Sequence, residues 1–185
     1  MERELVERAQ QGDQDAFAAL VRLSADRLYG IAYRILRDSS RADDALQNGL
    51  IAMWQKLPEL RDPDRFEAWT YRLIVRASYR EAERGGRVTA RVRQIPVEPG
   101  FDSGDTAFDR IASRDEMEAA FRELTPEHRA VIVLRHFVGL PMAEVADVLG
   151  IPTGTAASRL HYAVRSLRAA FEADARGVVA WRHTA

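Results

Sequence analysis

The chain has 185 residues, of which 46% are hydrophobic and 30% are charged, with a net charge of −1 and no cysteine. This length suffices for one or two small domains with buried cores, and the absence of cysteine excludes a disulfide framework and thiolate metal sites. The first residues are charged, unlike a signal-peptide core, and no run approaches the roughly 20 apolar residues of a membrane span. We therefore expect a cytoplasmic protein without membrane insertion.

Charge is distributed unevenly along the chain. Residues 61–93 carry nine basic and five acidic groups, residues 98–127 carry three and nine, and residues 128–185 carry seven and four. Two basic blocks separated by an acidic one indicate two nucleic-acid-facing modules and a joining segment. All but one of the 27 basic residues are arginine, whose planar guanidinium suits phosphate groups.

The N-terminal part of the chain has apolar residues at helical spacing. Ser39 and Ser40 are expected to separate the second helix from the third, and Pro58 to end the third. Asp62 or Asp64 can cap the fourth helix. The predicted helices cover residues 2–11, 14–37, 42–57 and about 64–84.

Gly85 and Gly86 are expected to end the fourth helix. Residues 86–109 contain glycine, proline and serine without periodicity, which predicts a flexible acidic linker. Helices resume near Asp109, and Thr125 is the expected N-cap of the next helix. The predicted fold is all-α with two small helical domains. The predicted boundaries are 1–85 for the first domain, 86–109 for the linker, 110–172 for the second domain and 173–185 for a tail.

Residues 126–170 predict three consecutive helices, with a Gly-containing turn at residues 150–154 before the last one. This pattern indicates a helix-turn-helix, whose second helix can lie in the DNA major groove. The segment from Thr155 to Phe171 contains basic residues and no acidic residue. The alternative is an ordinary helical hairpin with a solvated basic face.

The predicted helix over residues 64–84 carries a second basic stripe. Its four arginines are spaced by four residues, so they share one face: Arg72, Arg76, Arg80 and Arg84. Aromatic residues lie between them, and the combination suits single-stranded nucleic acid, because arginines hold phosphates and aromatic rings stack on unpaired bases. The alternative is a solvated face over a core helix, and for Trp69 and Leu73 we expect core packing.

Together these segments resemble a bacterial RNA polymerase sigma factor of the extracytoplasmic-function group within the sigma-70 family. Residues 19–57 resemble regions 2.1–2.2, residues 65–86 resemble regions 2.3–2.4, and residues 124–168 resemble region 4. The resemblance covers about residues 5–172. The single linker also matches, because this group lacks the domain that larger sigma factors place between the two regions.

The resemblance implies that residues 42–57 bind the clamp coiled coil of core RNA polymerase and that region 4 sits on the polymerase flap. Leu46, Leu50 and Trp54 can also serve internal packing, which we expect for Leu50 and largely for Trp54. The residues that match the core-binding pattern are Asp44, Leu46, Gln47 and Trp54.

The resemblance also implies two contacts with promoter DNA. The helix over residues 64–84 would open the −10 element and hold it as a single strand, and the helix over residues 154–168 would read the −35 element as duplex. Ser158 and His161 are assigned to base edges. The −10 residues are Arg72, Arg76, Tyr79, Arg80 and Arg84. The −35 residues are Thr155, Ser158, Arg159, His161 and Arg165.

Several positions depart from the family pattern. Asn48 and Gly49 stand where relatives usually have glutamate and threonine, and a glycine inside a helix costs up to about 1 kcal/mol relative to alanine. Arg76 stands where relatives have asparagine, while Ala157 and Tyr162 stand where basic residues are common. The promoter sequence therefore cannot be copied from relatives.

Two other functions compete with this interpretation. A stand-alone helix-turn-helix regulator would need a dimer to read two half-sites, and no leucine-rich dimerisation helix is evident. An enzyme is disfavoured because the histidines lack partners at metal-ligand spacing, and Glu144 and Asp147 are interpreted as a polar helix face. We therefore predict no catalytic residues, no metal and no cofactor. The expected partners are core RNA polymerase, promoter DNA and an anti-sigma factor.

Overall fold

The structure is a computed structural model that describes residues 2–85 and 114–182, and these residues are helical with no strand. The predicted all-α class is confirmed. None of the described helices is both long and apolar enough to span a membrane. The α-helices are α1 (Glu2–Gln10), α2 (Gln14–Leu36), α3 (Ser39–Lys56), α4 (Phe66–Arg84), α5 (Arg114–Glu123), α6 (Pro126–Ile132), α7 (Met142–Leu149) and α8 (Thr153–Arg182).

The boundary between α2 and α3 differs from the predicted one. Arg37 adopts a left-handed conformation with φ of 58° and ends α2. The carboxylate of Asp38 then caps α3 by accepting a hydrogen bond from the Arg41 amide at 3.1 Å. Ser39 and Ser40 therefore lie in the first turn of α3 and do not break the helix. The prediction was wrong because Asp38 supplies the cap one residue earlier.

The start of α4 follows the predicted capping chemistry. Asp62 accepts a hydrogen bond from the Asp64 amide at 3.1 Å, so Asp62 is the cap. Pro63–Arg65 forms a short 3-10 turn that leads directly into α4. The helix ends at Gly85, as expected. The predicted linker over residues 86–109 lies outside the described residues.

The C-terminal half, residues 114–182, contains the predicted helix-turn-helix. Thr125 caps α6 as predicted, and α6 continues as a π-helix over Val133–Val138. Gly150, with φ of 68°, makes the turn between α7 and α8, a left-handed conformation that glycine adopts without strain. The helix α8 runs to Arg182, so its backbone extends past the predicted domain end at residue 172.

The two halves of the chain pack against each other. In the N-terminal half, residues 2–85, one apolar cluster joins α1, α2, α3 and α4 around Leu20 and Met53. A second cluster combines residues of both halves, including Ile35 of α2, Ile74 of α4 and Leu134 of the π-helix. Contacts of α2 with α6 and of α4 with α7 hold this arrangement, which we call the closed arrangement. It places the predicted −10 helix directly beside the helix-turn-helix.

Gly49 lies where α3 packs against α4. The residue is buried, and a Cβ atom built on it would lie 3.2 Å from Cδ1 of Ile74. Ile74 is itself buried and packed in the shared cluster. The close packing of α4 therefore gives a reason for the glycine that helix propensity alone does not.

We predict that the effect of Gly49→Ala depends on Ile74. Alanine improves helix propensity by up to about 1 kcal/mol, but its methyl group meets Cδ1 of Ile74. In an Ile74→Val background that atom is absent, so Gly49→Ala should be more favourable there by about 0.5–1 kcal/mol. Urea unfolding of the four proteins measures this coupling. Strictly additive free energies of unfolding would contradict it.

Candidate nucleic-acid interfaces

The helix α8 separates a buried face from an open one. Ala156, Ala163 and Leu167 are buried against the rest of the C-terminal half. The predicted −35 residues lie on other sides of the helix: Thr155, Ser158, His161 and Arg165 are exposed and Arg159 is half-buried. The Ser158 hydroxyl donates a hydrogen bond to the Gly154 carbonyl at 2.9 Å. The exposed side chains of Thr155, Ser158, His161 and Arg165 thus form a surface suited to a DNA groove.

The outward side of α4 carries two of the predicted −10 residues. Arg76 and Arg80 are exposed, and Nε of Arg80 donates to the Arg76 carbonyl at 3.3 Å. Arg84 is also exposed and donates to the buried carboxylate of Glu81 at 2.8 Å. The outward side of this helix can therefore meet phosphates without rearrangement. Of the four arginines predicted to share one face, three are therefore exposed to solvent, whereas Arg72 is half-buried.

A different side of α4 faces the C-terminal half. Arg72 and Tyr79 are seven residues apart and therefore share one side of the helix, while Arg65 belongs to the 3-10 turn just before it. Arg65 Nη2 donates to Asp147 Oδ2 at 2.9 Å. Arg72 Nη2 lies 3.1 Å from the same carboxylate oxygen and donates to the Asp147 carbonyl at 3.0 Å. Asp147 of α7 is thus the shared partner of two arginines on the N-terminal half.

Tyr79 is largely enclosed by the closed arrangement. Its hydroxyl is buried and has no hydrogen-bond partner among the described residues. Burial raises the pKa of Tyr79, the nearby carboxylate of Glu127 raises it further, and the guanidinium of Arg159 opposes the shift. A predicted −10 residue therefore lies close to a predicted −35 residue, and the Tyr79 ring is not free to stack on a base.

The contact between α2 and the C-terminal half combines cationic and aromatic groups. The Arg34 guanidinium lies 3.7 Å from the ring centroid of Phe137. Arg37 forms an ion pair with Glu118 and lies 5.8 Å from the Phe121 ring centroid. These residues line a cavity of about 370 Å³. The contact formed by α2 is therefore mixed, because these groups lie beside apolar residues such as Ile35 that belong to the shared cluster.

Arg129 of α6 adds a buried positive charge to this region. Burial, followed by the nearby charge of Arg37, lowers the pKa of Arg129 to about 10. The guanidinium therefore stays charged near neutral pH. Its Nε atom has no hydrogen-bond partner within the described residues.

The outer side of α3 carries the predicted polymerase-binding residues. Asp44 and Gln47 are exposed, whereas Leu46 is half-buried against the shared core. Trp54 is 42% exposed, although its ring meets Phe17 edge-on at 4.7 Å between centroids, so it is more open than expected. Ile51 is 48% exposed on the same side of the helix, and the sequence analysis missed it. Leu50 is partly buried, as expected.

Within the described residues, no group of histidine, aspartate and glutamate side chains is arranged to hold a metal ion. The cavity beside α4, about 210 Å³, is lined by Trp69, Arg61 and the Arg65–Asp147–Arg72 cluster. Side chains on this part of the surface are suited to binding an anion or a base, since they offer guanidinium groups and an aromatic ring.

Comparison with known proteins decides the family. Residues 20–88 match the family model for Sigma-70 region 2, and residues 120–169 match the model for Sigma-70 region 4. Together they cover more than half of the chain. The chain belongs to the sigma-70 family. Named relatives place it in the extracytoplasmic-function (ECF) group of that family.

Sigma factors of several bacteria are similar to this one over most of their length. The ECF RNA polymerase sigma factor SigL of Mycobacterium tuberculosis is 34% identical over 171 residues, covering 85% of this chain and 92% of that protein. The RNA polymerase sigma-H factor of Pseudomonas aeruginosa is 29% identical over 181 residues, covering 92% and 94%. A solved structure of CnrH in complex with the cytosolic domain of CnrY has a TM-score of 0.67 and 26% identity, covering 94% and 98%.

One departure of this sigma factor from the family pattern has a structural partner. Asn48 donates from Nδ2 to Oε1 of Glu81 at 3.1 Å, and Glu81 is 7% exposed. An amide at position 48 therefore satisfies a buried carboxylate on α4, which the usual glutamate could not do while both groups are ionised. Together with Gly49, this side chain fits α3 to α4.

We predict that two tyrosines of α4 respond oppositely to removal of the hydroxyl. Tyr79→Phe deletes a buried hydroxyl that has no partner among the described residues, so stability should be unchanged or increase by up to about 1 kcal/mol. Tyr71→Phe is the matched control. Its hydroxyl donates to the Glu67 carboxylate and accepts from Arg27 at 2.9 Å, so its loss should cost about 1 kcal/mol.

Thermal or urea unfolding of the full chain measures both changes. Burial and the Glu67 carboxylate raise the pKa of Tyr71 to about 12, so both tyrosines stay protonated across the range used for such measurements. Equal destabilisation by the two substitutions would contradict the environment described for Tyr79.

Proposed function

We propose that this sigma factor binds core RNA polymerase and directs promoter-specific initiation, melting the −10 element with α4 and reading the −35 element with α8. The observation that carries the proposal is the presence of two different basic helices in one ECF sigma chain. On α4 the arginines lie beside aromatic residues, whereas α8 presents small polar groups between basic ones. The first composition suits a single strand and the second suits a duplex groove.

On α8 the proposed division of contacts follows from side-chain chemistry. Ser158 and His161 are exposed and can both donate and accept hydrogen bonds, so they suit base edges. We assign Arg159 and Arg165 to phosphates of the same duplex, and Thr155 lies near the start of the helix. Phosphate contacts position the protein, and base contacts specify the sequence.

On α4 the proposed contacts are mainly with the backbone of the melted strand. Arg76 and Arg80 are open to solvent and can bind phosphates directly. Arg72 and Tyr79 become available when the two halves separate, and Arg84 when it releases Glu81. Because Arg76 stands where relatives usually have asparagine, we expect this sigma factor to prefer a −10 sequence that differs from those of its relatives.

We propose that the outer side of α3 contacts the polymerase clamp. Asp44 and Gln47 supply polar groups, while Ile51 and Trp54 supply exposed apolar area that a partner would cover. Leu46 contributes chiefly by packing α3 onto its neighbours. Region 4 would occupy the flap, and the protein would act in the cytoplasm, where polymerase and DNA are found.

We also propose an anti-sigma partner. The similar chain CnrH was solved in complex with the cytosolic domain of another protein, and the closed arrangement offers a compact target for such binding. Co-expression with a candidate partner should lower transcription from a dependent promoter. It should leave transcription by an unrelated sigma factor unchanged.

Run-off transcription on genomic fragments tests the main proposal. Addition of this protein to core polymerase should produce discrete start sites preceded by shared −35 and −10 sequences. A stand-alone helix-turn-helix regulator would bind duplex fragments yet yield no new transcripts with core polymerase. That outcome would overturn the proposal.

We predict that Asp44→Arg combined with Gln47→Ala weakens binding to core polymerase at least about tenfold, which corresponds to about 1.4 kcal/mol. Charge reversal at an interface opposes association, and both side chains are exposed, so the fold should remain. Asp26→Arg, the same charge change on α2, is the control. Co-purification that is unchanged relative to this control would contradict the assignment of α3.

A further prediction separates the two DNA contacts. Arg76→Ala should impair opening of the −10 element but leave binding to −35 duplex intact. Ser158→Ala and His161→Ala should change −35 preference, with losses of about 1–3 kcal/mol at the contacted base pairs, and leave transcription from a pre-melted −10 bubble nearly unchanged.

Permanganate footprinting of the −10 thymines and competition with −35 duplex variants measure the two steps. Glu144→Gln, on an exposed position of α7, controls for general changes in region 4. If the α4 and α8 variants failed at the same step, the proposed division of labour would be wrong.

A further inference from the structure

Asp147 and the two arginines of the N-terminal half form a compact anion site. Arg65 and Arg72 direct Nη2 atoms at the same carboxylate oxygen, at 2.9 and 3.1 Å. The Nε atom of Arg72 is buried and has no hydrogen-bond partner among the described residues. This site therefore has a donor that the carboxylate does not satisfy.

We propose that Arg65 and Arg72 form a phosphate-binding site for the melted strand, and that Asp147 occupies it in the closed arrangement as an intramolecular substitute for a DNA phosphate. The proposal rests on the function proposed for α4. It adds Arg65 to the DNA-binding residues and gives Asp147 a regulatory role. DNA and region 4 then compete for the same two guanidinium groups.

The surroundings of the site favour a nucleotide over a simple anion. The adjoining cavity of about 210 Å³ is lined by three arginines, by Trp69 and by two carboxylates, those of Asp62 and of Asp147 itself. A phosphate offers several acceptor oxygens, so it could also use the unpaired Nε of Arg72. The indole of Trp69 packs partly against the N-terminal apolar cluster, as expected, and also lines the cavity, where it could contact a base.

Asp147 is poorly placed to stabilise its own helix. It lies in the last turn of α7, where the helix macrodipole disfavours a negative charge. Its side chain bonds to the N-terminal half, across the contact with α4. We therefore attribute the role of this carboxylate to its contact with the N-terminal half and not to stabilisation of α7.

The strength of this contact suits a reversible switch. The side chains of Arg65 and Asp147 are 63% and 47% exposed, and exposed ion pairs contribute little to stability. Removal of the carboxylate should therefore shift the balance between closed and open forms by about three- to tenfold and should not abolish closure. Added salt should also favour the open form, because it screens the attraction between Asp147 and the arginines; the Debye length is about 8 Å at physiological ionic strength.

The absence of cysteine from the chain makes the opening directly measurable. Cysteines introduced at the exposed positions Ser40 and Ala169 can carry a donor and an acceptor dye, and energy transfer then reports the separation of the two halves. Asp147→Asn keeps the size of the side chain and removes its charge. Glu144→Gln, on the same helix, is the matched control.

Binding of a short fluorescein-labelled single-stranded DNA to the full chain provides the second readout. Asp147→Asn should increase the open fraction and tighten DNA binding by about three- to tenfold, whereas Glu144→Gln should change neither. Arg65→Gln should also open the protein, yet it should weaken DNA binding because it removes one of the phosphate ligands. This opposite effect on DNA distinguishes a competed site from a simple interdomain contact.

Three results would overturn the proposal. The first is unchanged energy transfer in Asp147→Asn. The second is an equal gain in DNA binding by Glu144→Gln, which would indicate only a loss of general repulsion. The third is unchanged DNA binding in Arg65→Gln while Arg76→Ala weakens it, which would leave the function proposed for α4 standing. If Arg76→Ala also had no effect, the function proposed for α4 would fail together with the phosphate site.

Discussion

The helix α4 has to satisfy three different surroundings at once. Ile74 and Val75 are buried in the apolar core. A second side, with Arg72 and Tyr79, meets the C-terminal half, and a third, with Arg76 and Arg80, stays open to solvent. Because an α-helix turns 100° per residue, these sides are only a few residues apart in sequence, and a change at one position of α4 readily affects two functions.

The chemistry of the second side explains how the two halves can part. Arg72 and Asp147 are charged, and the Tyr79 hydroxyl has no partner in the part of the chain that the structure describes. Water or DNA can solvate these groups once they separate, whereas the apolar residues that both halves contribute to the shared cluster favour closure. Contacts between domains of one chain commonly have this mixed character, which favours relative motion. Closure is therefore compatible with the proposal that the two halves engage separate promoter elements.

Besides the apolar cluster that both halves share, the closed arrangement depends on two kinds of contact, one between cationic and aromatic groups and one made by exposed ion pairs. On α2, Gly30 allows the Phe137 ring to approach the helix, and the Arg34 guanidinium stacks on that ring. Such contacts position the C-terminal half with little dependence on salt, whereas the exposed pairs of Asp147 are screened by it. The region-4 helices thus meet α2 through cationic–aromatic groups and α4 through exposed ion pairs, and the apolar cluster common to both halves lies beside both contacts. The salt-sensitive contact therefore lies on α4, the helix proposed to bind the −10 element.

The sequence by itself determined the helical class, most helix ends, the helix-turn-helix and the family, because these depend on local spacing, capping and turn residues. Thr125 and Gly150 are examples in which one side chain or one backbone conformation decides the local structure. Core packing of Leu73 was equally predictable from periodicity. The contacts of α3, α4 and α8 with polymerase and DNA remain predictions, since they involve molecules that the chain alone does not contain.

Only the tertiary structure decided how the two halves meet. Asp147 reads in sequence as one more polar residue of a surface helix, and its partners Arg65 and Arg72 lie more than seventy residues away. Gly49 reads as a helix defect until Ile74 is seen beside it. Periodicity specifies which side of a helix is apolar, but pairing between helices depends on their relative placement. That placement follows from packing of the whole core, which no local pattern in the sequence records.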